Sequence, residues 1–218
     1  DSSLNPESPI TRGTAQNDDI YFQGREASNK FYNAVPDIVN DYMQEISKVT
    51  GRNYAPFTYY GAKDATDIII AMGSVTETIK ETIDYLQETE GRKVGLLTVH
   101  LYRPFSTKYF MNVLPQSVER ICVIDRTKEP GSLGEPLFMD IKSVFYNEKK
   151  QPKIIGGRYG LSSKDVPPAQ IIALYDNLKS DTPKDNFTVG INDDVTFTSI
   201  KVGENVTVTD DVNECLFY

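Results

Sequence analysis

Tryptophan is absent from these 218 residues, histidine occurs once and cysteine twice. A zinc or iron centre needs clustered thiol or imidazole ligands, and His100, Cys122 and Cys215 stand too far apart in sequence to suggest one. His100 also has no recognisable nucleophile motif beside it, so no Ser-His or Cys-His system is read here. Basic residues are in deficit, 23 Lys and Arg against 31 Asp and Glu, and the net charge of −8 excludes a general nucleic-acid surface. No apolar run approaches the roughly 20 residues of a membrane span. The opening Asp1-Ser-Ser-Leu-Asn5 is polar where a secretory signal would be apolar. These absences predict a reducing, cytoplasmic setting in which the sequons at Asn186 and Asn205 stay unmodified. Cys122, inside the apolar run 121–124, reads as a small buried side chain.

What is present suits one large soluble domain, or one domain with extensions: 39% hydrophobic and 25% charged residues over a single-domain length. Residues 1–30 have no period and are rich in Ser, Pro, Asn and Asp, which predicts extended or loop structure. Val35, Ile38, Val39, Tyr42, Met43, Ile46 and Val49 then recur at helical spacing, with Pro36 read into the first turn and Gly51 as the stop. From Asp67 onward, short apolar runs at 67–72, 93–101, 120–125 and 153–156 read as strands. Helical patterns at 75–90, 106–113, 137–145 and 167–178 alternate with them. That alternation predicts an α/β fold, a mostly parallel open sheet with helices on both faces. After Leu178 the polar run with Pro183 reads as a linker, and 187–191, 195–200 and 206–209 read as a β-rich C-terminal extension. A chain that opens on Asp1 and closes on the apolar Cys215-Leu-Phe-Tyr218 is expected to be a piece of something longer.

The stretch Val123-Ile-Asp-Arg-Thr-Lys-Glu-Pro-Gly131 is the most informative: a strand, a charged loop at its carboxyl end, then a helix from about Glu135. Arg126 and Lys128 beside Gly131-Ser-Leu-Gly134 can contact a phosphate or carboxylate at that helix N-terminus, or pair with Glu129 and Glu135 instead. Gly73-Ser74-Val75, after the first strand, can hold an anion through backbone N–H groups or serve as a plain tight turn. A phospho-acceptor receiver domain would need an acidic pair where Met72-Gly73-Ser74 stands, although Asp125 fits its reactive aspartate. Parallel order predicts that Gly73, Arg103 and Arg126 line one edge of the sheet.

Arg12-Gly-Thr-Ala-Gln-Asn17, Asp19-Ile-Tyr-Phe-Gln-Gly-Arg-Glu26, Tyr102-Arg-Pro-Phe105, Asp125-Arg-Thr-Lys-Glu-Pro-Gly131, Gly157-Arg-Tyr-Gly-Leu161 and Phe187-Thr-Val-Gly-Ile191 together resemble the pyruvate:ferredoxin (flavodoxin) oxidoreductases. The resemblance implies long multidomain chains, usually homodimers. Such enzymes oxidatively decarboxylate pyruvate with thiamine diphosphate and Mg²⁺, pass electrons through [4Fe–4S] clusters to ferredoxin or flavodoxin, and form acetyl-CoA from coenzyme A. By position, 1–60 resembles the tail of the thiamine-binding first domain, 61–179 the second, transketolase C-terminal-like domain, and 180–218 the lead-in to the third. The sequence has no G-D-G motif for diphosphate-bound Mg²⁺ and no C-x-x-C-x-x-C run for a cluster. No catalytic or metal-binding residue is therefore assigned, and the resemblance implies a structural, domain-positioning piece. The same region of a pyruvate:NADP⁺ oxidoreductase and a stand-alone interaction module are the alternatives.

Overall fold

The computed structural model describes residues 6–7 and 15–206. A helical arm leads, α1 (Asp18–Ala27) and α2 (Asn29–Thr50). The α/β body follows: β1 (Phe57–Gly61), β2 (Asp67–Ala71), α3 (Val75–Glu90), β3 (Val94–Val99), α4 (Thr107–Val113), β4 (Arg120–Asp125), α5 (Pro136–Phe145), β5 (Lys153–Arg158), α6 (Pro168–Lys179) and β6 (Phe187–Thr188). The sheet order is β1-β3-β2-β4-β5-β6. β1 alone runs antiparallel, against β3, and every other pairing is parallel.

Period-two alternation explains the three layers. In β2, Ile69 and Ala71 join the core under α3 and α6, while Ile68 and Ile70 join the core under α4 and α5. Ile68, Ile69 and Ile70 are all fully buried, each worth about 1.5–3 kcal/mol of transfer free energy. The parallel register of β2 on β4 sets Asp67 opposite Arg120. A two-armed ion pair joins them, with Arg120 Nη2 donating to Asp67 Oδ2 at 2.9 Å.

Three local expectations change. Residues 18–27, read as loop, are helical because Asn17 Oδ1 accepts the Ile20 N–H at 2.9 Å and Asp18 and Asp19 occupy the first turn. Pro36 lies well inside α2 rather than in its first turn, because the helix already starts at Asn29. Residues 195–200 form turns and a single bridge, Ser199 to Thr188, instead of a strand. Phe187 and Thr188, read as part of a β-rich extension beside the main domain, pair with β5 and extend the main sheet. The fully buried Phe187 ring packs over Gly157, where an added Cβ would lie 2.2 Å from it. Residues 207–209, expected to end the strand from 206, lie outside the described residues, as does Cys215.

Candidate functional site at the carboxyl edge of the sheet

Chain direction reverses between β2 and β4: β2 leads outward to β3, and β4 leads the other way to β5 and β6. Open α/β sheets bind ligands in the crevice outside such a switch point. The loops after β2, β3 and β4 carry Gly73, Arg103 and Arg126, and the parallel register sets all three at this edge, as the alternation predicts. A cleft of about 320 Å³ opens there, between Met72, Gly73 and Ser74 on one side and Asp125, Arg126 and Thr127 on the other, with Tyr102 and Tyr159 as walls. A smaller, more polar cleft of about 220 Å³ continues from it past Ser74, Thr78, Arg126, Tyr159, Ser163 and Lys164.

Of the anion contacts read at the loop after β4, most are already satisfied within the chain. The Asp125 carboxylate accepts the Leu137 and Phe138 N–H groups at 3.0 and 3.1 Å, filling the N-terminus of α5. Lys128 lies 3.7 Å from the buried Glu135, whose other oxygen accepts the Glu129 N–H at 2.7 Å. Arg158 also donates to Glu135, at 3.3 Å, and to the Asn186 carbonyl at 3.0 Å. Gly131 supplies a left-handed turn at φ 83°, and Gly134 clears space for the Phe138 ring. The anion that the α5 end binds is thus the chain's own. Arg126 differs: it donates Nε to the Gly160 carbonyl at 2.7 Å, and its terminal nitrogens have no hydrogen-bond partner among the described residues. Arg103 stacks 4.0 Å over the Tyr102 ring and pairs with Asp140 at 2.7 Å, which turns it toward α5.

Electrostatics follow burial. Desolvation raises the Asp125 carboxyl pKa against the two helix N–H groups that favour its charged form. Burial raises the Tyr159 hydroxyl, with the Arg126 charge opposing. Cys122 is fully buried, and burial pushes its thiol upward, the opposite of a metal-binding thiolate. His100, without an evident partner in sequence, shares a 3.0 Å hydrogen bond with Thr58. Tyr159 and Lys164 were not marked as site residues by sequence reasoning; the Gly157-Arg-Tyr-Gly160 motif was the available signal. Among the described residues no group of three His, Cys, Asp or Glu is placed to hold a metal ion, and no helix is long and apolar enough to cross a membrane.

The family model described as pyruvate:ferredoxin oxidoreductase core domain II matches residues 65–171, the body from β2 into α6. A pyruvate-flavodoxin oxidoreductase of Enterobacter agglomerans is 61% identical over 203 residues, covering 93% of this chain and 17% of its own length. The pyruvate:ferredoxin oxidoreductase of Moorella thermoacetica is 54% identical over 94% of this chain and 17% of its own. A pyruvate dehydrogenase [NADP(+)] of Euglena gracilis is 46% identical over 99% of this chain and 12% of its own. One solved transketolase from Pichia stipitis covers 35% of this chain and 12% of its own at 25% identity and a TM-score of 0.28, an overlap too small to argue from. The chain therefore spans under a fifth of the length of these relatives. It is a segment of the pyruvate:ferredoxin oxidoreductase family, built around that family's core domain II.

Proposed function

We propose that this chain works as the second-domain segment of a pyruvate:ferredoxin or pyruvate:flavodoxin oxidoreductase, and that its task there is to position neighbouring domains. The observation that carries the reading is identity of 61% over 93% of the chain to a relative of which it makes up only 17%. On this reading 61–179 is the second domain, 1–60 is the tail of the thiamine-binding domain, and 180–218 leads toward the third. The longer protein, a homodimer, uses thiamine diphosphate, Mg²⁺, [4Fe–4S] clusters and coenzyme A. The chain cannot hold a cluster by itself, since a cluster needs four thiolates and one of the two cysteines is sealed in the core.

The helical arm supplies the surface for positioning. Ile38, Tyr42 and Ile46 share one face of α2 and are 51%, 64% and 50% exposed. An apolar stripe of this kind marks an interface, and the occupant is the remaining four fifths of the longer protein. The likeness to the NADP(+)-linked Euglena enzyme supports a second reading in which electrons leave to NADP⁺. One assay separates these readings. The longer protein should reduce ferredoxin or flavodoxin when given pyruvate and coenzyme A, and not NADP⁺, while the 218-residue chain alone reduces none. Turnover by the chain alone would overturn the positioning role, and NADP⁺ reduction by the longer protein would select the second reading.

A further inference from the structure

The polar cleft beside the N-terminus of α3 has the makings of a ligand site that the positioning role does not use. Tyr159 is 5% exposed, yet its hydroxyl has no hydrogen-bond partner among the described residues, and the side chain lines both clefts at the sheet edge. The ring is buried while the hydroxyl reaches solvent at the cleft wall, where it is free to donate to an arriving acceptor. Three further donors face the same space. Ser74 occupies the N-cap position of α3 without capping it, and its hydroxyl and the Ser74 and Val75 N–H groups have no partner among the described residues. Arg126 is held in place by the Gly160 carbonyl, with its terminal nitrogens uncommitted. Lys164 stands at the rim.

The charge lining the smaller cleft fits an anion. Arg126 and Lys164 outweigh Asp165 in the smaller cleft. Asp125 lines only the larger one, and its carboxylate is engaged by α5. The N-terminus of α5 is filled by that carboxylate, whereas the N-terminus of α3 is open. The adjoining larger cleft offers an apolar wall of Met72, Tyr102, Ile124 and Pro136. A carboxylate has two oxygens and would leave several of these donors idle, while a phosphate monoester presents three.

We propose that the edge between α3 and the loop after β5 binds a small organic phosphate, with the phosphoryl group on Tyr159, Ser74, Arg126 and Lys164 and the organic body against Tyr102 and Pro136. This site does not rest on the proposed function and would stand if that reading fell. The test is titration of the 218-residue chain with phenyl phosphate, followed by backbone amide NMR at fixed ionic strength. Benzoate, phenol and inorganic phosphate serve as comparison ligands. Saturable shifts centred on the Ser74 and Val75 amides are expected. Tyr159→Phe should weaken binding about tenfold, the loss of one hydrogen bond to a charged group. Lys164→Met, at an exposed rim position, should weaken it with the spectrum of the free chain unchanged. Benzoate, phenol and inorganic phosphate should each bind more weakly than phenyl phosphate. Shifts scattered over unrelated lysines, equal affinity of the Tyr159→Phe chain, or equal binding of inorganic phosphate without sensitivity to either variant (an adventitious ion only) would each overturn the proposal.

Discussion

Asp125 shows how one side chain closes a site that its sequence context suggests. It ends β4 at the point where an open sheet presents ligand-binding groups, and its carboxylate turns back onto the first N–H groups of α5. Burial raises its pKa above the ordinary 3.8. A carboxyl whose native pKa exceeds its unfolded value contributes most below the unfolded value, and the contribution is lost as pH rises through the native one. The stability of the wild-type chain minus that of Asp125→Asn should therefore decline as pH rises from below 3.8, as read from urea unfolding at successive pH values. A difference that grows over that range would contradict the assignment. Glu135 gives a second contrast. Its partner Arg158 is buried, and Arg158→Met leaves the buried carboxylate only the half-exposed Lys128 and the Glu129 N–H, at a cost of about 2–3 kcal/mol. Lys128, 44% exposed and 3.7 Å away, should cost under about 1 kcal/mol when changed to Met. The ratio of the two urea midpoints checks this ranking.

At the scale of elements, the four central strands and the helices between them were legible because each strand is an apolar run and each helix repeats its apolar residues at helical spacing. Residues 120–125 match β4 residue for residue. What was not legible depends on partners distant in sequence. β1 has a mixed pattern, Phe-Thr-Tyr-Tyr-Gly, and becomes a strand only through antiparallel pairing with β3. β6 is two residues long and owes its place to Phe187 seated over Gly157. The candidate site divides in the same way. Arg126 and Lys128 could be read as anion contacts, but the partners that occupy Lys128 and leave Arg126 available come from α5 and from the loop after β5. Gly157→Ala tests the β6 packing, because the new methyl would meet a ring that is fully buried and has nowhere to move. It should destabilise the chain by about 1–3 kcal/mol. The Val189 N–H, which bonds to the Arg158 carbonyl at 3.1 Å, should lose more hydrogen-exchange protection than the amides of β4. Equal loss across the sheet would mean that β6 is not a separate attachment.

For the whole molecule, a well-packed α/β body carries an arm whose outer face is under-packed. The body has two cores, one on each side of the sheet, and neither includes a residue of α2. On the inner face of the arm Pro36 is buried and Val35, Val39 and Met43 are half-buried, and beside them Asp37 accepts from Lys108 Nζ at 2.8 Å and from the Tyr109 hydroxyl at 2.7 Å. Such exposed contacts orient an arm without contributing much stability, which suits a surface completed by other parts of a larger protein. Changing Ile38, Tyr42 and Ile46 together to Ser separates the arm's role from that of the body. In the 218-residue chain these positions are exposed, so the urea midpoint should shift by no more than surface substitutions usually cause. The decisive measurement is pyruvate-dependent reduction of ferredoxin or flavodoxin by the longer protein carrying the same three changes. If the segment positions its neighbours through this face, turnover falls or assembly fails while the isolated chain stays folded. Wild-type assembly and wild-type turnover by that variant would contradict the positioning role.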